Sequence, residues 1–212
     1  MIVIGLGKAG SNIAKGFSKF PQYETYSIDT VKEADITIKK RKNHEDYDEN
    51  FPNLKRKLKF SNQEVYVVVA GSGQISGGIL RLLQQIQNNK ITVVYIQPDL
   101  ALASEVQQTQ EKIVRNVLQE YARSGLVDAI WLVDNTCLER SIGEISIIGY
   151  YDTLNQAIVN TSSCSKYYSY AKCFQKYRTR HRKLRRAVTP KPDCHHGDNG
   201  SRRRRIRRKV VL

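Results

Sequence analysis

Two glycine-rich stretches, with a few amides and acids downstream, are the residues whose types and spacing could do chemistry. The first is Gly5-Leu6-Gly7-Lys8-Ala9-Gly10, a G-x-G-x-x-G box that follows an apolar run and leads through Ser11 and Asn12 into a helical pattern. Asp29 follows its third glycine by nineteen residues. Glycines at such a turn let a phosphate approach the backbone, and the helix behind offers its N–H groups and positive dipole end. This is the spelling of a dinucleotide-binding turn with an acid for the ribose hydroxyls, so an NAD(P)-binding Rossmann domain of an oxidoreductase is one reading. Close packing of a helix on a strand is the plain structural alternative.

The second stretch is Ala70-Gly71-Ser72-Gly73-Gln74-Ile75-Ser76-Gly77-Gly78, again between an apolar run and a helical stripe. Two such loops supply enough backbone donors for a triphosphate, whereas a dinucleotide half needs only the first. No G-x-x-x-x-G-K-[ST] occurs, which excludes a Walker-type loop. Farther on stand Asn135, in Asp-Asn-Thr, and the pair Tyr151 and Asn155, whose spacing puts them on one helix face. A carboxamide carries both an acceptor and donors. Two of them match the edge of guanine, an acceptor beside donors, where adenine presents the opposite polarity; the ring of Tyr151 can stack on the base. Taken singly, each asparagine fits a cap or a turn equally well.

These residues need elements to position them. Apolar runs at 1–4, 64–71, 91–96 and 127–133 read as buried strands, 24–29 as a β-prone alternating strand, and 36–38 as a short edge strand. Between them lie helical stripes: Ile13, Phe17, Phe20; Ile75, Ile79, Leu82, Ile86; and Val106, Gln110, Ile113, Val117, Tyr121. Residues 144–159 open a further helix, and the charged stretch 39–59 reads as an exposed loop with a short helix. Strands apolar on both faces, alternating with helices, predict an α/β fold: a Rossmann-like parallel sheet with helices on both faces. Ligands of such sheets sit at the carboxyl ends of the strands, so the loops 5–12, 29–30, 70–78, 98–105 and 134–138 should open on one edge.

With both glycine loops, the strand and loop "VDAIWLVDNTCLE" and the helix start "YYDTLN" in this order, the chain resembles the tubulin/FtsZ superfamily over roughly residues 1–160. "IGLGKAGSN" looks like that family's first nucleotide loop, closed by Asn12, and "AGSGQISGG" like its A-G-x-G-x-x-[ST]-G signature. Gln74, Ile75 and Ile79 stand where the family usually has glycine. The resemblance implies the N-terminal GTPase (nucleotide-binding) domain of a cytoskeletal protein, taking GTP or GDP with Mg2+ on the phosphates. It implies phosphate contacts from Gly5, Gly7, Gly10, Ser11, Asn12 and from Ala70, Gly71, Ser72, Gly73, Ser76, Gly77 and Gly78. It implies base contacts from Asn135, Tyr151 and Asn155. Asp29 then lies near phosphate and metal, and Glu105 near the ribose, with Glu111 in reserve. In that family a neighbouring subunit delivers acidic groups from the loop after the central helix. That loop and the second domain have no counterpart here. The expectation is a nucleotide binder with weak or no hydrolysis on its own, and filament self-association only in a fuller form.

Charge divides the chain at the same point. Residues 161–212 hold 17 Lys/Arg against 2 Asp/Glu, while residues 1–160 hold 18 of each. Three readings of the 161–212 tail follow: an out-of-frame or truncated product, a disordered nucleic-acid-binding arm using residues 178–209 with tyrosines to stack, or an arm that docks on an acidic surface. Cys137 alone lies in the body, with Cys164, Cys173 and Cys194 in the tail, which argues against a disulfide scaffold and for a reducing, cytoplasmic setting. No apolar run reaches the roughly 20 residues of a transmembrane helix. Cys194-His195-His196 lacks a nearby C-x-x-C partner, so no zinc site is expected. His44, His181, His195 and His196 fall in exposed or tail segments, which leaves no Ser/His/Asp nucleophile set.

Overall fold

Seven strands form one sheet in the computed structural model, which describes residues 1–163 and the strand Phe174–Arg178. In chain order they are β1 (Ile2–Leu6), β2 (Glu24–Asp29), β3 (Ile36–Thr37), β4 (Glu64–Ala70), β5 (Lys90–Gln97), β6 (Ala129–Asp134) and β7 (Phe174–Arg178). Their order across the sheet is β3-β2-β1-β4-β5-β6-β7. The first six run parallel and β7 pairs antiparallel with β6. The helices are α1 (Gly7–Phe17), α2 (His44–Glu49), α3 (Ile79–Gln85), α4 (Glu105–Ser124), α5 (Asn135–Ile142) and α6 (Tyr150–Ser163).

The strands alternate their side chains between two cores, which is why nearly every residue of β1, β4 and β5 is apolar. On one face Ile2, Ile4, Leu6, Val65, Val67, Val69, Ile91 and Val93 pack with Leu82 and Leu83 of α3 and Val114 and Leu118 of α4. On the other, Val3, Val68, Val94, Ile96 and Val133 pack with Ile13, Ala14 and Phe17 of α1, Leu138 of α5, and Leu154, Ile158 and Val159 of α6. Helices therefore cover both faces of the parallel strands, as expected. Among the described residues no helix is long and apolar enough to cross a membrane.

The strand order reverses direction between β1 and β4. Chain from β1 moves outward to β2 and β3, then returns to place β4 on the other flank of β1, with Leu6 opposite Val69. Crevices at such reversals, beyond the carboxyl ends of the strands, are where parallel sheets bind ligands. Both glycine loops begin there.

Several expectations change. Of residues 134–138, expected as a loop, Asp134 ends β6 and 135–138 form the start of α5, because the Asp134 carboxylate caps it by accepting from the N–H groups of Thr136 (2.9 Å) and Cys137 (3.3 Å). The helix expected to open at 144 starts at Tyr150; Gly143 and Gly149, both at positive φ, bracket the loop between α5 and α6. In α4 the buried stripe is Glu111, Val114, Leu118 and Ala122, turned away from the expected one, and Val106 and Ile113 face solvent. A buried glutamate hides that stripe from any reading of apolar spacing. The helix α6 runs past residue 160, and Phe174–Arg178, within the segment expected as a disordered arm, supplies β7. An edge strand with unpaired backbone groups is a template for such a pairing. Residues 164–173 and 179–212 lie outside the described residues, and with them the Cys194-His195-His196 cluster and nearly all of the basic run 178–209.

The charged stretch 39–59 is also more than an exposed loop. Tyr47, Leu54 and Leu58 are buried in the core below α3. Gln85 of α3 holds the segment down, its Oε1 accepting from the Leu54 N–H at 2.6 Å and its Nε2 donating to the Pro52 carbonyl at 3.0 Å. The segment is a strap laid over one edge of the sheet. Leu54→Ala should therefore cost about 2–4 kcal/mol in urea unfolding. A leucine on an exposed loop would cost almost nothing.

Candidate functional site

The first glycine loop is set by a backbone contact. A methyl group on Gly5 would lie 2.2 Å from the Gly10 carbonyl oxygen, and one on Gly10 would lie 2.5 Å from the Val68 carbonyl oxygen. Only glycines let α1 descend onto the ends of β1 and β4 in this way. Gly7, the first residue of α1, sits at φ +74°. Its missing Cβ would lie 2.4 Å from Cγ2 of Ile75 in the second glycine loop. The two loops are thus in contact across the strand-order reversal.

The second loop leaves β4 and passes through a 3₁₀ turn, Gln74–Gly78, before α3. Ser76 is fully buried and builds the loop from within: its hydroxyl lies 2.5 Å from the Gly73 carbonyl and 3.2 Å from that of Gly71. Tyr95 fills the space beneath, where a Cβ on Gly71 would meet its hydroxyl at 1.8 Å. That hydroxyl donates to the Glu111 carbonyl at 3.1 Å, and burial holds it well above the ordinary tyrosine range. The strap closes the outside. A Cβ on Gly77 would lie 2.1 Å from the His44 carbonyl, and one on Gly78 2.3 Å from the Phe51 ring. His44, expected on an exposed segment, is instead half-buried, with Nε2 3.3 Å from the Ser76 hydroxyl. Burial lowers its pKa, against the opposing pull of Glu45 and Asp48.

Side chains cap α2, α4 and α5: Asn43, the Ser104–Gln107 capping box and Asp134 respectively. No side chain caps α1, the 3₁₀ turn or α3. Uncapped N–H groups of a helix start need an acceptor from elsewhere. The first turn of α1 holds no acid and instead carries Lys8, exposed, where a cation opposes the helix dipole unless an anion is near. The glycine spacing of the first box gives no sign of a role for Lys8, which lies inside it.

The other expected residues lie on several elements. Asp29 ends β2, 8% exposed, with its Oδ1 accepting from the Thr30 N–H at 2.7 Å. Asn135 is the first residue of α5 at the end of β6, and its Oδ1 is buried without a hydrogen-bond partner. The hydroxyl of Ser11, in α1, is buried and unpartnered as well. Asn12 is exposed on α1, and Ser72 and Gly73 are half-buried. Glu105 opens α4 and is exposed; Glu111 is buried and its carboxylate is 3.3 Å from Nε of Arg115, inside the α4 packing. Tyr151 is 72% exposed at the start of α6, its ring meeting only the edge of Tyr150 among the described aromatics, and Asn155 is half-buried. The helices α1 and α6 pack together, with Val159 against Gly16, and Lys19, just beyond α1, donates from Nζ to Gln156 Oε1 at 3.3 Å. No hydrogen bond among the described residues ties Tyr151 or Asn155 to the glycine loops.

No protein-family model matches the chain, and no curated protein matches its sequence. Among solved structures, the empty FtsZ dimer of M. jannaschii is similar, with TM-score 0.62 over 76% of this chain at 14% identity. The chain spans about half (52%) of that FtsZ chain. At this identity the likeness is one of fold: an α/β fold of the FtsZ type.

The contact between the loops is testable. Gly7→Ala should destabilise the protein by about 1–3 kcal/mol through its φ and its clash with Ile75. Combining it with Ile75→Ala should recover part of the loss as a favourable coupling of about 1 kcal/mol in a double-mutant cycle of urea midpoints. For His44 the folded pKa is depressed, so the unfolded chain binds its proton first and stability falls with pH. Between pH 7.5 and 5 the wild type should lose more stability than His44→Gln, the loss starting below the ordinary imidazole value.

Proposed function

We propose that this chain binds a guanine nucleotide, GTP or GDP, in the crevice between β1 and β4. The observation that carries the reading is the pair of glycine-led, uncapped turns meeting there through Gly7 and Ile75. Their backbone N–H groups suit a phosphate chain, with Lys8 as a counter-charge. Ser11 and Asn12 of α1 and Ser72 and Gly73 of the second loop are further candidates for phosphate contact, and Ser76 ties that loop together from within. Asn135 brings an unsatisfied acceptor to the rim, and Asn155 and Tyr151 a second amide and an exposed ring for the base. Glu105 lies nearer solvent than Glu111 and is the better placed of the two for a ribose.

Mg2+ would supply charge neutralisation on the phosphate oxygens. Among the described residues no three side chains gather as metal ligands, so the phosphates and water would hold most of its coordination, with Asp29 as a carboxylate on the rim. Hydrolysis by the chain alone is expected to be weak. Self-association into filaments is proposed only for a fuller form.

A second reading has its own observation. The order β3-β2-β1-β4-β5-β6 is that of dinucleotide-binding folds, and Asp29 ends β2, where such folds hold a ribose. Fluorescent GTP should bind, and be displaced by GDP but not by ATP or NADH; displacement by NADH alone moves the assignment to an NAD(P)-binding domain. Lys8→Gln should weaken GTP about tenfold, which is about 1.4 kcal/mol. Asn135→Ala and Asn155→Asp should weaken GTP with little change in unfolding midpoint. Unchanged GTP affinity in both asparagine variants removes the case for guanine.

A further inference from the structure

The strap encloses a second concavity, separate from the β1–β4 crevice. Between β3, α2 and residues 50–57 lies a cavity of about 200 Å³. Lys39, Arg41 and Lys57 line it, with Asn50, Asn53 and Phe51 among its other walls, and no carboxylate does. None of the three cations is in an ion pair among the described residues, whereas Arg81, which also meets the strap, is paired with Asp48. Three cations around one small hollow repel each other and raise the local concentration of anions.

The donors are held in place. The Arg41 guanidinium donates to the Asn50 carbonyl at 3.2 Å, and the Arg41 N–H donates to the Tyr47 hydroxyl at 3.1 Å, so both ends of the residue are anchored. Oδ1 of Asn53 accepts from the Lys55 N–H at 3.0 Å, which leaves its NH2 as the unused end. Planar guanidinium, two ammonium groups and amide N–H donors form a set that only donates.

We propose that this cavity binds a phosphate group, as inorganic phosphate or on a small phosphate monoester. A phosphate dianion accepts at every oxygen and matches three cations better than a single carboxylate does. The volume is below the roughly 300–1,000 Å³ of sites that enclose drug-sized ligands, so a phosphate with a few attached atoms fits and a whole nucleotide does not. Phe51 lines the cavity and also backs Gly78, and His44 of the same strap backs Gly77. An occupant is therefore felt at the second glycine loop. The site stands whether or not the crevice takes guanine.

The test is amide NMR of the 15N-labelled full chain, titrated at constant ionic strength with inorganic phosphate and, separately, ribose 5-phosphate. The expected result is saturable shifts at Arg41, Asn50 and Asn53, smaller ones at Gly77 and Gly78, and a Kd at or below about 1 mM. Arg41→Gln should weaken binding about tenfold, and Lys39→Gln with Lys57→Gln should abolish saturation; both lysines are exposed, so the fold should survive, and amide dispersion checks it. Tighter binding of ribose 5-phosphate makes the occupant a monoester, and equal binding makes it phosphate itself. Shifts confined to residues 5–12 or to the basic run 178–209, equal binding by the variants, or no saturation by about ten times that concentration would each overturn the proposal.

Discussion

Between Gly5 and Gly10 there is no room for a methyl group, and the rest of the structure follows from that. Because the two backbones touch, α1 starts directly above the ends of β1 and β4 rather than beside them. Its first turn then meets the loop from β4, with the Ile75 side chain lying over Gly7. A larger residue at either glycine would lift α1 from the sheet, open the core formed by Ile13, Ala14 and Phe17, and separate the two loops. Packing and site geometry are one constraint here, not two.

Around that contact the second loop is assembled in layers. Ser76 ties its carbonyls together from inside, Tyr95 supports it from below through β5 and α4, and the strap presses on it from outside through His44 and Phe51. Gln74 and Ile75 depart from the glycines usual in the tubulin/FtsZ pattern, and the structure shows what Ile75 does: its side chain fills the space over Gly7. The loop is thus held by side chains at points where a glycine-only loop would rely on backbone alone.

Much of this was legible in the sequence, and the reasons are physical. Strands buried on both faces leave uninterrupted apolar runs, so β1, β4, β5 and β6 announce themselves, and the glycines that follow β1 and β4 mark the two turns that meet each other. The readings that failed did so where polar groups are buried or local caps decide. Glu111, paired with Arg115, put a charge in the middle of the α4 stripe. Asp134 began a helix that no apolar spacing would suggest. Leu54 and Leu58 were lost among lysines, whose long apolar stems and exposed heads say little about what lies beneath them. Lys8 reads as an ordinary surface cation until the uncapped N–H groups beside it are seen.

One feature of the sheet reaches into how the molecule comes to exist. Ile2 pairs with Val65, and Leu6 with Val69, so the central strand finds its second neighbour only after β2, β3 and the whole strap have been made. Closing so long a loop costs chain entropy before any contact repays it, and parallel sheets of this kind form slowly for that reason. During synthesis the first glycine turn precedes β4 and lacks that neighbour until β4 arrives. The crevice is consequently a late product of folding, completed only when β4 pairs with β1.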